Sequence, residues 1–274
     1  MAGRGLAEAR SINTAWQTIS AKRRAFARAA ALYGGVAIWT LLVWTLLAAA
    51  TKPIFFPAPM AVLQAGVDLF ADGSLVEYIL ISYERILSGW LIGSLVAVPI
   101  GLLVGRIRLV RAIVEPYIHF FRFIPPIAFV TLSLIWFGLG EASKVALIIY
   151  TTTFVVILNT LAGVLSVEKE KIRAGQCLGA SNRQILLHIV IPATIPYIIT
   201  GMRLAMGNSF MTVVSAEMLA ARSGIGYLIF NARLFMKTDQ IFVGIMTLGV
   251  MGIIADLLFR LLVSRFAYRY SVKM

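Results

Sequence analysis

Charge and sulfur are scarce in this 274-residue chain: only 14% of its residues are Asp, Glu, Lys or Arg, cysteine occurs once and histidine twice. A single thiol, Cys177, excludes an intrachain disulfide, and it reads as a small residue packing in a polar stretch. His119 and His188 stand apart from cysteine or carboxylate companions at ligand spacing, so no metal site is expected. No serine lies in a nucleophile-elbow context, and no clustered His, Asp or Cys set suggests catalysis, which leaves no catalytic residue to assign. A phosphate loop is also missing. The nearest glycine-and-lysine stretch, Gly138 to Lys144, has the wrong spacing and no strand before it. The chain itself therefore calls for no cofactor, and any energy it uses has to come from elsewhere.

What is abundant is apolar: 60% of residues are hydrophobic and the mean hydropathy is +0.89, far from the norms of soluble domains. The chain reads as an all-α, polytopic membrane protein. Uncharged or nearly uncharged runs occur at Ala31–Ala50, Ile86–Val104, roughly Ile118–Leu139, Val145–Val164, Ile191–Val214 and Ile241–Val263, which predicts six crossings. Basic residues number 16 in the four segments that would share one side and 6 in the three that would share the other, so both termini are assigned to the cytoplasm. This bias accounts for the net charge of +13 without nucleic acid. Residues 1–30 form a basic cytoplasmic segment, in which Ser11–Arg28 either lies on the membrane as an amphipathic helix or is a solvated tail. Residues 31–274 form the transmembrane domain.

The segment Thr51–Arg85 opens with Pro53, Pro57 and Pro59 and then shows helical apolar spacing through Val62, Ala65 and Leu69, predicting a short helix and a lead-in to the second span. Gly89 with Gly93, and Gly101 with Gly105, are small-xxx-small pairs that let helix backbones approach closely. Pro99 and Pro125-Pro126 predict kinks or broken helix ends, which either border a substrate path or serve packing alone.

Between the fourth and fifth runs lies the polar stretch IRAGQCLGASNRQILLHIVIPATIP, residues 172–196. Gly179 can end one helix, and Ser181 or Asn182 can cap the next. The pattern predicts a short helix, a turn and a second helix entering the membrane at Pro192. Small residues Ala174, Gly175, Gly179 and Ala180 would leave a surface that another protein can approach, unless the stretch is an ordinary amphipathic connector.

Ionisable side chains in hydrocarbon usually face a bundle interior or a cavity. Arg203 lies about 16 Å past Pro192 at 1.5 Å per residue, near mid-bilayer. It either attracts an anion or holds a carboxylate or helix-end carbonyls. Thr151, Asn159, Asn208, Thr212 and Glu217 are the other candidates for a polar translocation path, although threonine hydroxyls commonly bond back to their own helix.

The polar stretch resembles the cytoplasmic "EAA" loop of ABC-importer permeases, whose pattern is Glu-Ala-Ala, three residues, Gly, nine residues, Ile-x-Leu-Pro. Ala174, Gly179, Ile189 and Pro192 fall in register, while Arg173, Gly175 and Ile191 replace the Glu, second Ala and Leu. Phe56-Pro-Ala-Pro59, Gly101-Leu-Leu-Val-Gly105, Arg122-Phe-Ile-Pro-Pro126, Ile135-Trp-Phe-Gly-Leu-Gly140, Gly201-Met-Arg-Leu-Ala205 and Ala216-Glu217 with Gly224-Ile-Gly226 look like the taurine, alkanesulfonate and nitrate permeases of that group. The resemblance implies a type I permease bundle in a bacterial inner membrane. It implies partners too: a second copy of the chain, two cytoplasmic ATPase subunits that bind ATP and Mg, and an extracytoplasmic solute-binding protein. The loop at about 165–190 would then couple to the ATPases through Glu170, Arg173, Ala174, Gly175, Leu178, Gly179, Ala180 and Ser181. The solute would be a small anion, taurine or another sulfonate first, with nitrate, bicarbonate or a carboxylate as alternatives. A secondary transporter would be the rival from another class.

Overall fold

A computed structural model describes residues 31–266. The basic leader, including the segment expected at Ser11–Arg28, and the basic tail residues Arg269 and Lys273 lie outside the described residues. The chain divides into two compact units, one ending at Val62 and the other beginning at Leu63.

In the first unit, α1 runs from Ala31 to Ala50, long and apolar enough to cross a membrane. Thr40 and Thr51 donate to the carbonyls of Val36 and Leu47, each at 2.8 Å, so their hydroxyls are satisfied within hydrocarbon reach. The proline-rich link after α1 is tied back when Trp44 Nε1 donates to the Pro57 carbonyl at 3.0 Å. Helix α2, Pro59–Ala71, follows and straddles the boundary.

The second unit is organised around α6, Glu141–Leu165, with α3, Ser74–Arg106, on one side and α9, Ile191–Ala220, on the other. The contact of α3 with α6 is a zipper of small residues against branched ones. A methyl placed on Gly89, Gly93, Gly101 or Gly105 would sit 2.6–2.9 Å from the Cβ of Ile148, Thr152, Thr160 or Val164 respectively. Ala97 and Val156 continue that register in one buried cluster. Because both sequences advance together, the two helices are parallel, and a glycine or alanine every four residues lets the backbones come close enough for dispersion to hold them. On the opposite face α9 runs antiparallel: Gly201 packs on Asn159, and Gly163 on Thr194 and Tyr197. Pro99 does not interrupt α3, which is helical throughout.

The third predicted span is not one helix. Helix α4, Arg108–Phe121, stops, and after a short 3₁₀ turn at Pro126–Phe129 helix α5, Val130–Phe137, leaves at 90°. Pro125 and Pro126 remove two backbone donors and bias the residue before them away from the helical region, so the break follows from sequence. Eight residues, about 12 Å of helix, cannot cross a bilayer. Among the described residues there are thus five helices long enough to span, and six spans when the bent pair counts as one.

Beyond Leu165 come α7, Lys169–Cys177, and α8, Asn182–Ile185, which passes through a wide π turn at 186–190 into α9. The second helix expected here begins at Asn182 with Ser181 as its cap, as the sequence predicts, and the wide turn accommodates the missing donor of Pro192. Helix α10, Ile225–Leu234, and α11, Thr238–Phe266, complete the unit. Phe259 and Ala255 of α11 pack on Ile199 and Met206 of α9. Trp90 of α3 joins them, its ring edge-on to Phe259 and its Nε1 donating to the Met202 carbonyl at 2.8 Å.

Candidate functional site

The loop between α6 and α9 is a helix–turn–helix built by two capping motifs. At the end of α7 Gly179 takes φ +77°, its N–H donates to the Gln176 carbonyl at 2.9 Å, and Ala180 N–H donates to the Gly175 carbonyl at 3.0 Å. That is a Schellman termination, and only glycine adopts the required angle without strain. Two residues on, Ser181 Oγ accepts from Gln184 N–H while Gln184 Oε1 accepts from Ser181 N–H at 2.8 Å, a capping box that starts α8. The pair folds on itself through Ile172, Ala180, Ile185 and Ile189, and rests on Val164 and Leu102 at the ends of α6 and α3.

This packing sorts the predicted loop residues. Gly175 is buried, and a methyl there would meet Ile189 at 2.9 Å. Its small size serves internal closure and does not present a surface to a partner. Glu170, Arg173, Ala174, Leu178, Gly179 and Ser181 are exposed, and Ala180 is half-buried. Leu178 is 88% exposed at the apex, an apolar side chain held out by the turn beneath it. Glu168 pairs with Lys171 at 3.3 Å on the same rim.

At the other end of α6 and α9 lies a buried charge network that the predicted set only touches. Glu217 of α9 is fully buried. Its carboxylate accepts from Ser82 at 2.8 Å, from Arg85 Nη1 at 2.8 Å and from Gly226 N–H at 2.8 Å. Arg85, 3% exposed, also binds both carboxylate oxygens of Glu141, the first residue of α6, and donates to the Ser223 carbonyl at 2.8 Å. Lys144 joins Glu141 at 3.1 Å. Gly224, at φ +110°, presses its Cα against the Glu217 carboxylate, leaving no room for a side chain. Glu217 is therefore a structural tie between α3, α6, α9 and the turn before α10; it does not line an open path. Arg85 and Lys144, both 3% exposed, belong inside the bundle. The lone acidic residue in an apolar run was the available signal; its partner, 132 residues away, was not readable.

Arg203 meets Asp256 of α11 in a two-pronged pair, Nε to Oδ1 at 2.6 Å and Nη2 to Oδ2 at 2.9 Å. Both side chains are 34% exposed, and Arg260 reaches the same carboxylate at 3.2 Å. Asp256 is absent from the predicted set.

Thr151, Asn208 and Thr212 come together on the wall of one cavity of about 350 Å³ between α6, α9 and the break in the third span. Thr151 and Thr212 share a hydrogen bond at 3.0 Å. Asn159 is not there: its amide donates to the Val155 carbonyl at 2.8 Å and it packs on Gly201.

Comparison with known proteins agrees with this architecture. Residues 97–268 match the model of the family described as binding-protein-dependent transport system inner membrane component. The chain is 36% identical over 232 residues to the taurine transport system permease protein of Escherichia coli K12, covering 83% of each chain. It is 31% identical over 227 residues to a putative aliphatic sulfonates transport permease protein of Bacillus subtilis, covering 83% of this chain and 81% of that one. Among solved structures, an inward-facing conformation of the MetNI methionine ABC transporter shares the fold, with a TM-score of 0.61 at 16% identity over 73% of this chain and 97% of that one.

Proposed function

The chain belongs to the binding-protein-dependent transport system inner membrane component family, the permeases of ABC importers, and from that membership we propose that it conducts a small anion, a sulfonate such as taurine foremost. The family implies ATPase and binding-protein partners in a bacterial inner membrane. In the proposed assembly two copies of this chain form the path, two cytoplasmic ATPase subunits hold the ATP and Mg, and a binding protein delivers solute from outside. Both termini then face the cytoplasm, as the basic bias suggests. The extensive similarity to a taurine permease and to a sulfonate permease supports the choice of solute.

The observation that carries coupling is the apex of the α7–α8 loop. A rigid, doubly capped turn supports an exposed leucine, which is the form of an anchor for a groove on another protein. Anchor side chains of this kind contribute about 2 kcal/mol or more, on the order of thirty-fold in affinity. Leu178→Asp should therefore leave the permease inserted while the ATPase no longer co-purifies and ATP-driven taurine uptake falls by that order. Normal co-purification together with normal uptake in both Leu178→Asp and Gly179→Trp would remove the coupling role.

A further inference from the structure

Four cations of the bundle have carboxylates: Arg85 has Glu217 and Glu141, Lys144 has Glu141, and Arg203 and Arg260 share Asp256. Arg122 differs from these. It sits at the break in the third span, its guanidinium 4.6 Å above the Phe123 ring, and no carboxylate among the described residues pairs with it. It lines the same cavity as Asn208, whose walls contain no Asp or Glu.

The donors of that cavity can be counted. Tyr150 Oη donates to the Phe121 carbonyl at 2.6 Å. The Thr151 and Thr212 hydroxyls reach the carbonyls of Leu147 and Asn208, each at 3.0 Å, and each other. Their protons are committed to the protein's own oxygens. The Arg122 guanidinium and the Asn208 carboxamide have no hydrogen-bond acceptor among the described residues. Arg122 is an exposed residue on that cavity's wall, and a cation set among apolar neighbours favours something of opposite sign to complete it. The guanidinium's planar fork matches the paired oxygens of a sulfonate or carboxylate, and Phe154, Leu158 and Met211 offer an apolar wall for a short carbon skeleton.

We propose that Arg122 and Asn208 form an anion station in the cavity between α6, α9 and the broken third span, taking the oxyanion head of a small organic sulfonate or carboxylate in transit. This assignment rests on the reading of the chain as an anion permease. The station carries one cation and no second charge, which suits conduction, since a passing solute must be held and then released.

The test uses the assembled importer in membrane vesicles, with Cys177→Ser and Met211→Cys placing a single thiol on the cavity wall. Labelling is compared between a methanethiosulfonate bearing a sulfonate and one bearing a trimethylammonium group, each rate normalised to a free thiol. With Arg122 present the sulfonate reagent should react on the order of tenfold faster, and ethanesulfonate should slow it. Arg122→Gln should bring the ratio to about one, and Asn208→Asp, which sets a carboxylate beside the guanidinium, should do the same. A ratio unchanged by Asn208→Asp and by an assembled Arg122→Gln, or a cationic reagent that is faster beside Arg122, overturns the station. If Arg122→Gln does not assemble, Asn208→Asp decides alone. Taurine uptake distinguishes the two layers of the argument: a parent complex with no ATP-driven anion uptake sinks the permease reading, whereas normal uptake with an unselective cavity sinks the station only.

Discussion

Replacing Arg85 by methionine strips Glu217 of the one cationic partner it has among the described residues while leaving the carboxylate fully buried. Ser82 and Gly226 N–H remain as donors, but neither carries charge. Breaking a buried pair from one side costs about 3–5 kcal/mol, because the stranded charge keeps its desolvation penalty and loses its compensation. Glu217→Gln is milder. Arg85 retains Glu141 and the Ser223 carbonyl, so no charge is stranded; what is lost is the charged hydrogen bond, about 1.5–3 kcal/mol, and one acceptor, because the amide nitrogen cannot accept from Gly226 N–H. The informative variant is the double one: with Gln at 217 nothing charged is left unpaired in the pocket, so Arg85→Met with Glu217→Gln should be more stable than Arg85→Met alone. Unfolding of the purified chain in a mild detergent, followed by fluorescence against denaturant, reads these differences. A single domain of this size loses about 2–4 °C of Tm per kcal/mol, so Arg85→Met should lower Tm by roughly 6–20 °C and the second substitution should restore part of it. If the double variant falls at the sum of the two singles, the sites are independent and the tie between α3 and α9 carries no coupling energy.

The zipper of α3 on α6 predicts that Gly101→Ala destabilises by about 1–3 kcal/mol, since its methyl would sit 2.6 Å from the Thr160 Cβ. Gly249→Ala, with no atom within 4 Å, should be neutral or slightly stabilising; equal effects of the two in the same unfolding assay would refute the packing argument. For the pair of Arg203 with Asp256, Arg203→Lys should lose most of the stability that Arg203→Met loses, because an ammonium cannot reproduce the two-pronged geometry. A lysine variant with parental Tm would count against a structural role, and uptake measured beside it separates packing from conduction.

Much of the architecture is written as periodicity and punctuation. Runs of about 20 apolar residues mark the spans, the glycines at four-residue spacing mark the close face of α3, and Gly179 with Ser181 marks the loop's two caps. These signals are local, which is why they are legible. The break at Pro125-Pro126 was equally local, yet its 90° angle depends on what α5 packs against and could not be inferred from a hydropathy run. The site was harder for the same reason. Arg85 and Glu217, or Arg203 and Asp256, are separated by 132 and 53 positions, and nothing in a side chain's type names its distant partner. Gly175 shows the converse failure, where a small residue invites a docking surface and the fold spends it on its own turn.

The distribution of tight and loose contacts indicates which part of the bundle yields first. Helices α3 and α6 are interlocked at glycines so closely that sliding would drive a backbone into a side chain, and their ends opposite the α7–α8 loop are tied with α9 by the Arg85, Glu141 and Glu217 network. Parting that end exposes or strands a buried charge, at about 3–5 kcal/mol. The bend of the third span is hydrogen-bonded to α6 by Tyr150, whose hydroxyl reaches the carbonyls of Phe121 and Ile124 at 2.6 and 3.4 Å. Its rupture costs about 0.5–1.5 kcal/mol per bond, and the freed carbonyls can turn to water in the adjoining cavity. The hypothesis is that the segment 122–126 moves while α3, α6 and α9 travel as one body. Amide hydrogen exchange on the reconstituted complex should then be faster at 122–124 than anywhere in 89–105 or 148–164, and Tyr150→Phe should quicken it there alone. Exchange that rises together across α3 and α6 in Tyr150→Phe would mean the three helices are no more rigid than the bend, and the hypothesis would be abandoned.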